Sequence, residues 1–183
     1  MDMLSLRNAI PDRIETRRLI LRAPDPRDVP DIARLANNIN IHQMTASMPY
    51  PYGEADAVAF VSEFARRKEQ KVYAVTLKSE TVVGVIGLRL DQEDAAELGY
   101  WFGEQFWGAG YGGEAAQALV AAVVQTGKCA AIKASARTEN VASRRILERI
   151  GFIAQGERIA SCGPHQGIPI AYYRFGAMEA PNE

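Results

Sequence analysis

The sequence predicts a mixed α/β fold: one sheet of mostly antiparallel strands, flanked by helices. Three observations predict it. Alternating apolar runs at 71–77, 81–90 and 95–102 follow one another across the short polar turns "KSE" and "DQED", the pattern of an antiparallel meander. From residue 112 onward, helical and strand patterns alternate. No repeat, low-complexity tract or linker divides the 183 residues, so 1–183 reads as a single domain.

Each element has its own local reason. "TRRLILRAP" reads as a first strand, Arg17 to Ala23, stopped by Pro24 and Pro26. "PRDVPDIARLANN" reads as a helix with Asp25 as its cap and Val29, Ile32 and Leu35 at helical spacing. The stretch "INIHQMTASMPYPYGEA" is irregular, broken by Pro49, Pro51 and Gly53. "EADAVAFVSEFARRKEQ" is an amphipathic helix with Ala57, Phe60, Val61 and Phe64 on one face, and its basic run reads as a solvated end. After the meander, the helix from about Gly112 to Thr126 is apolar nearly all round, which predicts burial on more than one side. "CAAIKASA" is a strand. "NVASRRILERIGF" is a helix with Ile146, Leu147 and Ile150 inward and Gly151 as its C-cap. "FIAQGERIA" and "IPIAYYRFGA" close the chain as a hairpin around "SCGPHQG".

Composition excludes several function classes. With 21 basic and 22 acidic residues, the formal charge of -1 offers no general attraction to nucleic acid or an anionic membrane. The apolar runs are far short of a membrane span, and "MDMLSLRNAI" lacks a signal peptide's apolar core. Cys129 and Cys162 form no C-x-x-C pair, so a cytoplasmic protein without disulfides or a zinc site is expected, with Cys129 a small core residue. His42 and His165 are the only histidines and fall in expected surface loops. A metal centre would need mostly carboxylates, and no motif suggests one.

The chemistry concentrates in "QFWGAGYGGEA", Gln105 to Ala115, which lies between a strand pattern and a helix pattern. Strand, glycine turn and helix make a phosphate-binding layout. Gly108, Gly110 and Gly113 spell G-x-G-x-x-G, but a dinucleotide fold opens with that turn and places an acidic residue at the end of the next strand. Here the turn lies past the middle, the preceding strand belongs to a meander, and the next strand ends "ASAR". The ATP-type loop needs G-K-[ST], which is absent.

In the register starting at Trp107, the same stretch resembles the pyrophosphate loop of the GNAT N-acetyltransferase superfamily, R/Q-x-x-G-x-G/A. Trp107 stands where that family usually has Arg or Gln, and Gly110 and Gly112 stand in the glycine places. "FWGAGYGGEA" is similar to the W-G-x-G-Y-A-T-E-A segment of the RimJ/RimL-like branch. "TENVASRRILERIGF" matches that branch's N-x-x-S-x-x-x-x-E-x-x-G-F at Asn140, Ser143, Glu148, Gly151 and Phe152. "ETRRLILR" and "MPYPYGEADAVAFV" resemble its opening strand and second helix. The likeness runs from roughly Glu15 to Phe175, placing the domain core at about 15–176.

The resemblance implies an acetyl-CoA-dependent N-acetyltransferase. It implies a GNAT sheet whose fourth and fifth strands splay apart, with the cofactor's pantetheine arm in the gap and paired with backbone near Phe102. Physically, small residues let backbone N–H groups approach a pyrophosphate, and a helix N-terminus adds partial positive charge. That role suits Gly108, Ala109, Gly110, Tyr111 and Gly112. Trp107 either packs on the cofactor or staples the loop to the core. Asn140 is a helix N-cap; the family reading has it also reach the arm. Ser143 either satisfies a helix-terminal N–H or faces the thioester sulfur. Arg144, Arg145 and Arg149 read as a solvated face.

Acyl transfer to an amine needs a neutral amine and a proton acceptor, and the departing thiolate gains from a donor. Glu97 lies inside the strand ten residues before the loop, where some branches of the family use a glutamate as base, and the resemblance makes it the candidate base; the other reading is a charge on a half-exposed strand. Other branches of the family place a tyrosine near the sulfur at the position of Leu147, which leaves that donor role to Ser143 or water. Tyr100, Tyr172 and Tyr173 read mainly as packing residues. The expected acceptor is a protein N-terminal α-amino group, with a small-molecule amine or antibiotic, or a non-catalytic acyl-CoA sensor, as alternatives. The acceptor wall is expected from residues 37–52 and 160–169. A homodimer is a further expectation, from relatives and from the aromatic, proline-rich segment 48–52.

Overall fold

The structure, a computed structural model, describes residues 3–45, 48–90, 95–161 and 165–176. The "DQED" turn and Cys162 lie outside the described residues. Among the described residues, eight strands form one sheet. In chain order the elements are α1 (Met3–Ala9), β1 (Arg13–Glu15), β2 (Leu19–Arg22), α2 (Val29–Ala36), α3 (Ile39–Met44) and α4 (Glu54–Ser62). Then come β3 (Gln70–Leu77), β4 (Val82–Arg89), β5 (Ala95–Phe102), α5 (Tyr111–Gln125), β6 (Ala131–Arg137), α6 (Val141–Arg149), β7 (Ile153–Ile159) and β8 (Pro169–Gly176). The strand order is β1-β2-β3-β4-β5-β6-β8-β7. All neighbours are antiparallel except β5 and β6, which are parallel and joined across α5.

The mixed sheet and the meander β3-β4-β5 are as the sequence predicts. The closing hairpin also forms, but β8 turns back to sit between β6 and β7. Alternation along β5 sorts the two faces. Leu98 and Phe102 join the larger core with Leu6, Ile10, Leu119 and Leu147, so α1, α5 and α6 cover that face. Trp101 packs with Ile32, Leu35 and Val61 of α2 and α4 on the other.

Sequence expectations change at several points. The first strand is shorter than Arg17–Ala23, beginning at Leu19, and it pairs with the unforeseen β1. Helix α1 also went unread: only Leu6 and Ile10 anchor it in the core, too few for a periodic signal. The irregular stretch after residue 38 contains α3, because the Asn38 side chain accepts from Asn40 N and Ile41 N and starts a helix there. His42 therefore lies on a helix, half-buried, with Nδ1 2.7 Å from Met48 O, instead of in a surface loop. The amphipathic helix at 54–70 stops as α4 at Ser62; a 3₁₀ turn, Phe64–Arg66, follows, and the next strand starts at Gln70. Helix α5 buries Ala115, Ala116, Leu119, Val120, Ala122 and Val123, but Val124 is exposed, so one side faces solvent despite its apolar sequence.

Candidate active site

The site begins where β5 and β6 part. Their pairing runs from Ala95↔Ala131 to Leu98↔Ala134 and ends there, although β5 continues to Phe102 and β6 to Arg137. The far end of β6 is held by β8 instead. On the other side, β5 stays paired with β4 to Phe102, and Gly103 N donates to Val83 O at 2.9 Å. By the antiparallel alternation, the peptide groups of Tyr100 and Phe102 turn toward the gap. The expected splay of the fourth and fifth predicted strands is thus a feature of β5 and β6. The Phe102 carbonyl accepts the Trp107 indole N–H at 2.7 Å, which leaves the Phe102 N–H as that residue's group for a ligand.

Beyond β5 the chain makes a 3₁₀ turn, Glu104–Phe106, and enters the glycine loop. Gly108 (φ 76) and Gly110 (φ 79) adopt left-handed backbone that a side chain would strain. Gly110 is the N-cap of α5 and has no side chain to cap it. The first intrahelical bond is Glu114 N to Gly110 O, so the N–H groups of Tyr111, Gly112 and Gly113 have no partner within the helix. Open glycines beside a run of uncapped donors fit an anionic group. Of the two roles expected of Trp107, the structure shows the staple: the indole N–H holds the loop to β5, while about half of its surface stays exposed (48%).

Asn140 caps α6, its side chain accepting from Ser143 N at 3.1 Å. The carboxamide oxygen is thereby committed, and Nδ2 is its group for a ligand. Ser143 Oγ lies 2.9 Å from the hydroxyl of Tyr100, which also lies 3.4 Å from the Ser143 carbonyl. Tyr100, read from the sequence as a weaker candidate and mainly a packing residue, does pack against the core, and its hydroxyl also meets Ser143. Burial pushes its pKa up to about 12 against the lowering effect of the Ser143 bond, so it stays a neutral hydroxyl. Leu147 is buried and carries no polar group to the gap. Arg144 is not simply solvated: it binds the Tyr173 hydroxyl at 3.0 Å and the Thr138 carbonyl at 3.0 Å, and pairs with Glu157.

Glu97 lies on the opposite face of β5, with Gly99 and Trp101. Its Oε2 is 2.5 Å from Arg89 Nη2 and its Oε1 is 3.4 Å from Ser135 Oγ. The structure thus sets Glu97 and Ser143 on opposite sides of the sheet, both bordering the splay. Helix α3 spans the mouth on the Glu97 side. Its start is tied to the end of β5, with Asn38 Nδ2 and Asn40 Nδ2 donating to Glu104 Oε2 and Oε1 at 2.6 and 2.9 Å. Its end is tied to β6 through Arg137 Nη1 and Gln43 O at 2.5 Å. His165 approaches the same arginine; burial and then the Arg137 charge push its pKa down. Of the two predicted acceptor walls, the 37–52 segment contacts Arg137 directly through Gln43; residues 46–47 and 162–164 of those walls lie outside the described residues.

Sequence reasoning missed a group at the loop. Arg18 and Thr16 reach α5 from the other end of the chain: Thr16 Oγ1 donates to Glu114 Oε1 at 2.6 Å, and Arg18 Nε donates to Glu114 Oε2 at 2.6 Å. Arg18 Nη1 also donates to the Ala109 carbonyl at 2.9 Å. The only sequence signals were the paired motifs "ETRRL" and "GGEA", which do not announce that they touch. Among the described residues, no group of three or more His, Cys, Asp or Glu is placed to hold a metal ion, and no helix is long and apolar enough to cross a membrane.

Residues 18–153 match the family model of the acetyltransferase (GNAT) domain. Among curated proteins, the chain is 24% identical over 144 residues to the N-acetyltransferase YnaD of Bacillus subtilis, covering 78% of this chain and 84% of YnaD. It is 33% identical over 92 residues to the ribosomal-protein-serine acetyltransferase of Escherichia coli, covering 48% of this chain and 51% of that one. Among solved structures, Mycobacterium smegmatis RimJ in complex with CoA-disulfide superposes with a TM-score of 0.80 at 19% identity, covering 94% of this chain and 90% of that one.

Proposed function

The chain belongs to the GNAT acetyltransferase family, and from that premise we propose that it moves the acetyl group of acetyl-CoA to a primary amine, specifically a protein N-terminal α-amino group. One observation carries this reading. The splayed end of β5 brings together the uncapped start of α5 that follows it, the gap-facing Phe102 N–H and the Ser143–Tyr100 hydroxyl pair, with Glu97 on the other face of the same strand. Acetyl-CoA supplies a reactive thioester on a flexible arm carrying a pyrophosphate.

The chain's own residues then divide the work. Backbone N–H groups from Gly108 to Gly112 hold the pyrophosphate, with Trp107 closing the loop onto β5. The Phe102 N–H and Asn140 Nδ2 hold the arm. Ser143, backed by Tyr100, donates a hydrogen bond to the leaving sulfur. Glu97 accepts the amine proton through water, fixed in place by Arg89. An α-amine is partly neutral at pH 7, so a base that acts at this modest reach suffices; a lysine amine is almost wholly protonated and asks for more. The named activity of the Escherichia coli relative supports a protein acceptor.

The test is release of free CoA thiol from acetyl-CoA with three acceptor sets: peptides with a free N-terminus, the same peptides N-terminally blocked but bearing lysine, and small polyamines. Turnover confined to the free N-termini is expected. Turnover only with small amines refutes the acceptor assignment. CoA binding without turnover on any amine refutes the catalytic one.

A further inference from the structure

The loop raises a problem of charge. At the position where its family usually carries Arg or Gln, this chain has Trp107, whose indole N–H is spent on the Phe102 carbonyl. The pyrophosphate loop therefore lacks a cation or amide of its own at that place. A cation does reach the loop, from the far end of the chain: Arg18, which donates to the Ala109 carbonyl. We propose that Arg18 is the positioning residue that makes this loop selective for a diphosphate-bearing acyl donor; the inference rests on the acetyl-CoA reading above.

Arg18 is held on three sides. Its turn is closed by Thr16, whose Oγ1 accepts from Leu19 N at 2.9 Å and donates to Glu114. Glu114 accepts from the Arg18 backbone N–H at 2.9 Å as well as from Nε, so the carboxylate fixes both the chain and the guanidinium. The guanidinium carbon lies 4.7 Å from the centre of the Tyr111 ring. That ring is steadied edge-on by Phe106, 6.5 Å away. A guanidinium is planar and rigid, so two anchored nitrogens determine where the third lies. With Nε on Glu114 and Nη1 on the Ala109 carbonyl, Nη2 lies beside Gly110, 3.4 Å from where a Cβ on that residue would be. No hydrogen bond among the described residues occupies Nη2.

Two consequences follow for the loop. In a trans peptide, C=O and N–H point in opposite directions. Because the Ala109 carbonyl is turned to Arg18, the Gly110 N–H is turned away from it. Left-handed backbone at Gly108 and Gly110 leaves this segment free to flip, and the Arg18 bond removes that freedom. The second consequence is a donor: Glu114 neutralises the guanidinium's net charge, but Nη2 remains at the start of α5 as an N–H donor of the kind that Trp107 does not supply. Lysine at this position would keep the charge but could not hold Glu114 and the Ala109 carbonyl together.

The experiment compares two acyl donors with Arg18→Gln, Arg18→Lys and the unsubstituted protein. Acetyl-CoA carries the diphosphate; S-acetylpantetheine carries the same thioester and arm without any phosphate. For Arg18→Gln, KM for acetyl-CoA should rise about tenfold or more, the effect of losing one charge-assisted contact. Turnover at saturation should stay nearly unchanged, and kcat/KM with S-acetylpantetheine should match the unsubstituted protein. Arg18→Lys should fall between the two with acetyl-CoA and show no loss with S-acetylpantetheine; it carries the test alone if Arg18→Gln does not fold. An equal loss with both donors makes Arg18 a general structural residue and overturns the proposal. So does an unchanged KM for acetyl-CoA. Failure of the unsubstituted protein to bind acetyl-CoA in calorimetry overturns the functional reading itself, and is thereby told apart from failure of Arg18 alone.

Discussion

Tyr100→Phe removes one hydroxyl and keeps the ring, which isolates the bond to Ser143. In the structure that bond is 2.9 Å long, and Tyr100 reaches the site only through Ser143. A serine hydroxyl has one proton. If Tyr100 donates to Ser143 Oγ, the serine proton is free for the leaving sulfur; without Tyr100 it has other acceptors. A neutral hydrogen bond of this kind is worth about 1 kcal/mol, so turnover should fall about fivefold. The acetyl-CoA KM should not move. Ser143→Ala removes the donor itself and should cost about tenfold, since water replaces a hydroxyl only in part. The informative measurement is the double variant, by steady-state thiol release under saturating acceptor. A relay predicts a loss of about tenfold, no worse than Ser143→Ala; independent roles predict about fiftyfold, and the gap of about 1 kcal/mol is within reach of a double-mutant cycle. Because burial holds the Tyr100 hydroxyl neutral, its pKa pushed up to about 12, the fivefold effect should be flat across the assay range. Additive losses, or full turnover in Tyr100→Phe, would refute the relay.

Three further outcomes are expected. Glu97→Gln keeps the shape of the side chain but not its basicity, and should lower neutral-pH turnover by about 10²-fold with acetyl-CoA affinity unchanged; the deficit should shrink as pH rises and more amine is neutral, and an intact turnover would place the base elsewhere. Gly110→Ala puts a side chain on left-handed backbone and 3.4 Å from Arg18 Nη2, and should weaken acetyl-CoA by about tenfold in calorimetry on the folded variant. Burial pushes the Glu114 carboxyl up, but bonds from Thr16 and from the Arg18 backbone and guanidinium outweigh it and hold the pKa below 4.5. A depressed folded pKa gives stability that is present above the unfolded value and lost as pH falls through the folded one. Glu114→Gln should therefore cost about 2 kcal/mol at neutral pH by thermal unfolding, with the gap to the unsubstituted protein closing below about pH 4.5; a gap independent of pH would rule out the charge as its source.

What the sequence disclosed depended on the range of the forces involved. The meander was legible because alternation and turn chemistry act over a few neighbouring residues, and β3, β4 and β5 follow that rule closely. The loop was legible for the same reason, since Gly108 and Gly110 advertise left-handed backbone. Helix α3 was hidden because its start depends on one side chain, Asn38, inside a stretch full of helix breakers. The Arg18–Glu114 lock was hidden because its partners lie 96 residues apart, and no local pattern encodes such a pairing. The contact of Tyr100 with Ser143 was hidden for a related reason. Packing was the natural reading of the tyrosine's place in the strand, but only the position of α6 shows that its hydroxyl ends at Ser143.

The separation of Glu97 from Ser143 has a chemical logic on the proposed reading. A base and a hydrogen-bond donor that must act in one step are of no use if they bond to each other. In an intact sheet, side chains on opposite faces of one strand cannot both reach a single reacting group, because backbone lies between them. The splay of β5 from β6 beyond Leu98 and Ala134 removes that barrier at one place only. A thioester lying in the gap is open to Ser143 from the α5–α6 side and to the amine from the α3 side, where Glu97 and Arg89 wait. The proton leaves on one side while negative charge develops on the other, so each group meets the charge it is suited to stabilise. The ties of α3 to Glu104 and to Arg137 then matter for more than stability, because they fix the acceptor wall to the ends of the two strands whose parting makes the site. Any change that re-paired β5 with β6 toward Phe102 would close the route between the two faces, and with it the reaction, while leaving every named side chain in place.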